Sequence, residues 1–225
     1  MKVPFSTGTD WFVYDFSRVY VPRKKEGETV EELLPGDWLK QLEAGRSTIT
    51  NGPALGFYVG RGEAKFECGD TLKMEKAAEV RIDGAGIGRH DFRSIEVVYN
   101  GRVVATAKTS RNGGHYQAII QEPITLDRSG WLALRIPDQG QPKNELGQPL
   151  FAHTSPIYVE LEGRKVFDRP TAEVLLAEMR RGLEVIPKRG TFAEDAELQR
   201  VLAVYREGIA TLENRMAEEA AKPKE

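Results

Sequence analysis

A chain of 225 residues is long enough for one main core, or a core with a small satellite, since single domains commonly run from about 50 to about 250 residues. Forty per cent hydrophobic and 29% charged residues, with no run near the roughly 18 apolar residues of a membrane span, point to a soluble globular protein. A formal net charge of −2 removes the overall electrostatic case for nucleic acid or an anionic membrane as partner, and a single cysteine, Cys68, excludes an intrachain disulfide and a multi-cysteine zinc site.

The opening Met1-Lys2-Val3-Pro4 lacks the apolar core of a secretory signal. Residues 1–22 read as a strand end, a loop and the β-prone run "RVYV", closed by Pro22, with "RKKEGE" as the polar loop that follows. In "VEELLPGDWLKQLEAG", Trp38, Leu39 and Leu42 recur at helical spacing, Pro35 suits a first turn and Gly45 a stop. Residues 1–45 are therefore expected to form an N-terminal strand and helix segment.

From Arg46 the period changes to two. "STIT", "ALGFYV", "AKFEC", "AEVRID", "RSIEVVY", "RVVATA", "HYQAII", "WLALRI" and "PIYVEL" are short β-prone runs separated by Gly, Asn, Asp and Pro. Asn100-Gly101 is the clearest hairpin signal, because both central residues of a type I′ turn need positive φ. The pattern predicts a mainly β fold, an antiparallel β-sandwich of about eight strands over residues 46–167. Gly84, Gly86 and Gly88 in "RIDGAGIGRHDF" follow G-x-G-x-G and lead to another strand, so an inter-strand loop is expected there rather than a dinucleotide fingerprint.

Residues 168–219 read as an α-helical hairpin. Ala172, Leu176, Met179, Leu183 and Ile186 form one seam, and Leu198, Leu202, Tyr205, Ile209, Leu212 and Met216 a second. "PKRG" is expected to join them, with Thr191 and Glu194 as a capping box that starts the second helix. The tail, 220–225, is expected to fray.

Chemistry-bearing residues are sparse. His90, His115 and His153 are the only histidines, and no HxH, HExxH or HxxxH spacing occurs, although strand-borne imidazoles can converge in space. His153-Thr154-Ser155 places a base beside two hydroxyls, but neighbours along a strand point to opposite faces, and there is no G-x-S-x-G elbow. Trp131, Tyr99, Tyr116 and Tyr158 alternate inside hydrophobic runs and read as core, with a sugar-stacking face as the alternative. Arg135 shares a strand face with Trp131 and needs a carboxylate or carbonyl partner. The candidate binding positions are Trp131, Arg135 and His153.

The ordered set "AGR" (44–46), "TNGP" (50–53), Gly69-Asp70, "VVYNG" (97–101), Trp131-x-Ala133-x-Arg135, "AHTSPIYV" (152–159) and a closing helical hairpin resembles the region after the catalytic barrel in metallohydrolases of the polymerase-and-histidinol-phosphatase (PHP) family, in the carbaryl-hydrolase-like branch. The likeness spans nearly the whole chain. It implies that Gly8-Thr9-Asp10 is the remnant of a late G-x-D-x-H metal motif, with Asp10 as a vestigial ligand and Phe12 where that family has histidine. It also implies that the divalent metal ions and the remaining ligands belong to a barrel absent from this chain, so no cofactor of its own is expected. Three readings stand: the resemblance implies a non-catalytic accessory sandwich that shapes an active-site rim or contacts the missing barrel or another subunit, the strand aromatics allow a saccharide-binding module, and the C-terminal seams allow a homo-oligomerisation module that pairs through its helices. An exposed apolar patch over residues 3–21 would mark the lost interface.

Overall fold

Period-two alternation builds strands through most of the chain in a computed structural model that describes residues 5–7, 17–22, 35–137, 140–164 and 166–221. In β6 (Ala78–Gly88), Val80, Ile82, Gly84 and Gly86 are buried while Glu79, Arg81, Ala85 and Ile87 are exposed, as a half-buried strand requires. The described residues form two units, Met1–Lys165 and Val166–Glu225.

The first unit is a sandwich of two sheets. The smaller runs in the order β4 (Ala64–Glu67), β3 (Ala54–Arg61), β6, β10 (His115–Leu126), β9 (Ser110–Asn112), with every pairing antiparallel. The larger is built on β11 (Gly130–Arg135). One edge of β11 pairs with β7 (Ser94–Tyr99), and β7 with β8 (Arg102–Lys108). The other edge is shared: Gly130–Leu132 pair with β13 (Ile157–Leu161), and Arg135 with β12 (Ala152–Thr154). From β12 the sheet continues to β2 (Thr48–Thr50) and β1 (Arg18–Tyr20), and from β13 to β5 (Thr71–Met74).

Between the sheets lies one core. Phe57, Val59, Val80, Ile82 and Ile120 come from the smaller sheet, and Leu72, Ile95, Val97, Leu132, Leu134, Ile157 and Val159 from the larger. Burying each such side chain contributes about 1.5–3 kcal/mol, which makes this interface the main source of stability. Phe92, from the connection between β6 and β7, is fully buried in it.

The mainly β fold, antiparallel-rich and followed by a helical pair, is the one the pattern predicts, with four differences. Among the described residues of 46–167 twelve strands occur rather than about eight, because β9 and β12 are three-residue segments and β5 four. The β5–β13 pair is parallel. The glycines 84, 86 and 88 are not a loop but the end of β6, in register with Ile120, Ala118 and Tyr116 of β10. All three point inward; the opposite sheet fills the space at Gly84 and Gly86, where a Cβ would lie 3.1 Å from Leu134 Cδ1 and 2.9 Å from Ile95 Cγ2, and Phe92 and Pro53 fill it at Gly88. Here glycine permits close sheet packing rather than loop freedom.

The fourth difference lies in the second unit, where α2 (Arg169–Arg189) contains Pro187 and Lys188, so "PKR" is helical and the reversal falls at 190–194. A proline in the last turn loses one backbone bond at a place where the helix is ending anyway. Asp168 caps α2, its Oδ2 accepting from Thr171 N at 2.9 Å, and these bonds hold its carboxyl below the usual range. The second helix, α3 (Asp195–Ala220), is not started by a Thr191–Glu194 box: Glu194 is itself the N-cap and makes no side-chain cap bond. Instead Glu197 Oε2 accepts from the N–H of Ala193, the residue before the N-cap, at 3.0 Å. The seams meet as spaced, since Gly182 lies against the Tyr205 ring and Gly208 3.2 Å, by the position of an added Cβ, from Met179 Sδ.

Preceding β2, α1 (Pro35–Glu43) ends with Gly45 at φ +76°, as the stop signal requires. Its apolar residues Trp38 and Leu39 are exposed, as is Tyr20. Most of the 3–21 segment, the "RKKEGE" loop and the end of the tail lie outside the described residues, so the expected apolar patch and the fraying are not placed.

Candidate functional site

Two arrangements in the first unit gather polar side chains, one on the outward face of the larger sheet and one at an end of the sandwich. The outward face follows from register. His153 pairs with Arg135, Arg135 with Glu96, and alternation puts all three on the face away from the core. Trp131 lies four residues along the same strand, opposite Tyr158. The structure thus brings Arg135 and His153 into one row with Trp131 nearby on the same face, while Asp10 lies outside the described residues.

Arg135 has a carboxylate partner: its Nε and Nη2 each lie 3.1 Å from Glu96 Oε2, with both side chains largely buried. Glu96 carries no marked sequence signal, and cross-strand register alone identifies it. His153 Nδ1 is 2.7 Å from Thr154 O. A carbonyl can only accept, so Nδ1 carries the proton and Nε2 keeps the lone pair. The Phe5 ring meets the imidazole edge-on, with centroids 5.1 Å apart. Burial pushes His153 below its ordinary pKa, the Arg135 charge adds to this, and the Thr154 carbonyl opposes it.

That depression has a consequence for stability. Between the folded pKa and the unfolded value of about 6.5, the unfolded chain binds a proton that the folded chain does not, so stability is full above the window and falls as pH drops through it. The expected result is a melting midpoint that declines on acidification below about pH 6.5, with a shallower decline in His153→Gln over the same range. An identical slope in the two proteins rules this account out.

Hydroxyls beside His153 are spent on structure. Thr154 Oγ1 accepts from Leu134 N at 3.0 Å, and Ser155 Oγ lies 2.7 Å from Ser47 Oγ; Thr154 and Ser155 are both fully buried. With no exposed surface, neither residue presents its hydroxyl to solvent in this structure. Cys68 is half-buried against the core, and burial pushes its thiol up to about 11, which removes thiolate reactivity at neutral pH.

The second arrangement is a cavity of about 400 Å³ where four separate stretches meet: Arg18 of β1, Asn51–Pro53 after β2, Gly88–His90 at the end of β6, and residues of 144–150 before β12. His90 Nε2 donates to Glu145 Oε1 at 2.9 Å, a bond that holds the Glu145 carboxyl below the usual range. Asn51 fixes one wall, donating from Nδ2 to Pro149 O at 2.8 Å and accepting from Phe151 N at 2.7 Å. Asn144 Oδ1 fixes another by accepting from Leu146 N and Gln148 N, both at 3.0 Å. Reasoning from sequence leaves His90 at the end of an expected inter-strand loop and misses the cavity, because no local pattern links residues 18, 51, 89 and 145.

His115 opens β10 opposite Asn112, so the three histidines stand on separate elements with different partners. Among the described residues no group of three or more His, Cys, Asp or Glu is placed to hold a metal ion. These donors do not fit a divalent-metal centre of the kind the PHP resemblance implies for a catalytic barrel. No helix among the described residues is long and apolar enough to cross a membrane. Comparison with family models, with curated proteins and with solved structures finds no match for the chain.

Proposed function

We propose that the chain is a non-catalytic accessory region of a PHP-like metal-dependent hydrolase, which shapes the rim of an active site or docks against a catalytic barrel or another subunit. One observation supports this reading above the others: the motifs that carry the resemblance are each other's contacts. In the "AGR" segment Arg46 Nη2 meets Asp70 Oδ1 of the Gly-Asp turn at 3.2 Å, and Gly69 N donates to Pro156 O of "AHTSPIYV" at 2.8 Å. "TNGP" and "AHTSPIYV" pair as β2 and β12, with Thr50 Oγ1 donating to Phe151 O at 3.0 Å. Asn100 of "VVYNG" accepts through Oδ1 from the backbone N–H of Trp131 at 3.0 Å.

Polar groups that would be reactive in a catalytic site are here consumed in tying strands together. A chain so built supplies a rigid surface rather than a reacting group. The purified chain is expected to hydrolyse no phosphate ester, amide or carbamate and to retain no stoichiometric zinc, manganese or iron. Elemental analysis that finds one transition-metal ion per chain after extensive dialysis overturns this reading.

A further inference from the structure

The cavity at the end of the sandwich has a composition that the accessory-scaffold reading does not use. Its floor is apolar, formed by Leu150, which is 3% exposed, and Pro53, and Leu146 makes an exposed lip. Arg18, Arg89, His90 and Asn144 also line the cavity. Glu145 supplies the one carboxylate, and it is already bonded to His90. Arg89 Nη1 is 4.0 Å from Glu145, beyond hydrogen-bond range, so its fork keeps donors for another acceptor. Asn144 spends its carbonyl oxygen on the loop, which leaves the Nδ2 amide as a further donor.

The walls are fixed before any ligand arrives. Asn51 locks the turn after β2 to Pro149 and Phe151, and Gly52 approaches Leu150 so closely that an added Cβ would lie 2.6 Å from Leu150 Cδ2. At Gly88 a Cβ would lie 3.1 Å from Phe92 and 3.2 Å from Pro53. A rigid apolar floor loses little entropy when a ligand docks on it, and a volume of about 400 Å³ lies within the range of small-molecule sites.

We propose that this cavity binds a small organic oxyanion, a carboxylate or phosphate group on a short apolar body, with the oxyanion facing Arg89 and Asn144 and the apolar body on Leu150 and Pro53. Planar guanidinium forks match carboxylate and phosphate oxygens in the same two-point geometry, so the two classes share this recognition chemistry. The proposal is independent of the accessory reading, since it concerns binding by the chain alone.

The test is titration of the full chain with 3-methylbutanoate and, separately, with isobutyl phosphate at low ionic strength, followed by calorimetry and by amide shifts of residues 88–90 and 144–146. Saturable binding of either anion that weakens about tenfold or more in Arg89→Gln, and is unchanged in Arg111→Gln, is the expected result; the class that binds more tightly names the ligand. Arg89 is 88% exposed, so the substitution leaves the fold intact. Absence of saturable binding by both anions, or equal weakening in Arg89→Gln and Arg111→Gln, overturns the proposal.

Discussion

Gly69→Ala is expected to destabilise the sandwich by about 3 kcal/mol or more, from two separate causes. Gly69 sits at φ +87°, in the left-handed region where an alanine costs roughly 1–2 kcal/mol. In addition, an added Cβ would lie 2.0 Å from the carbonyl oxygen of Ala44 and 3.1 Å from the carbonyl carbon of Gly45. Both are backbone atoms at the end of α1, so no side chain can rotate away, and the junction between α1 and the Gly-Asp turn has to open. Gly101→Ala separates the causes, because Gly101 has φ +80° with nothing within 4 Å of its Cβ position. It should cost only the conformational part, roughly 1–2 kcal/mol. Urea denaturation followed by tryptophan fluorescence reports on the first unit, which holds all three tryptophans. Equal losses in the two variants would mean that the close approach of Gly69 to Ala44 is not a constraint on the fold.

Local pattern made the strands and their turns legible where one face is buried. β7 and β8 are the clear case, with Asn100 and Gly101 at φ +49° and +80° as the hairpin chemistry demands. The same rule missed β5, where "TLKM" offers only two inward residues, Leu72 and Met74, and depends on its parallel neighbour β13. It misread the 84–88 glycines because their inward face is completed by Leu134, Ile95 and Phe92, residues on other elements that a local window does not contain. In the second unit the seams were legible at helical spacing. The turn was not, since Pro187 is tolerated in the last turn of α2 and the cap falls on Glu194.

Site residues were legible only as types. A half-buried arginine at a strand position calls for an acid, and Arg135 has Glu96, yet nothing along the chain ties residue 96 to residue 135 before register is known. The His153 row is likewise a product of pairing, through β12 and β11. The cavity draws on four stretches from Arg18 to Leu150 and has no signature in any of them. The resemblance motifs mark the opposite case: they stand far apart in sequence, and in the fold they contact one another.

Phe92→Ala should remove about 3–5 kcal/mol, the usual loss for a phenylalanine deleted from a closed core. The ring is fully buried, and it packs against the places where Gly86 and Gly88 have no side chains. A Cβ on Gly88 would lie 3.1 and 3.3 Å from two ring carbons of Phe92 and 3.2 Å from Pro53 Cβ, so Gly88→Ala alone overpacks the site at about 1 kcal/mol or more. In the Phe92→Ala background two of those three contacts vanish, and the added methyl instead fills part of the cavity. The double variant should therefore be more stable than the sum of the single losses predicts, by about 1 kcal/mol. Gly86→Ala provides the contrast: Ile95 Cγ2, 2.9 Å from its Cβ position, remains when Phe92 is cut back, so its penalty should largely persist. Urea midpoints of the three single and two double variants decide the matter. Additivity within about 0.3 kcal/mol for Phe92 and Gly88 would show that the ring does not set the requirement for glycine at the end of β6.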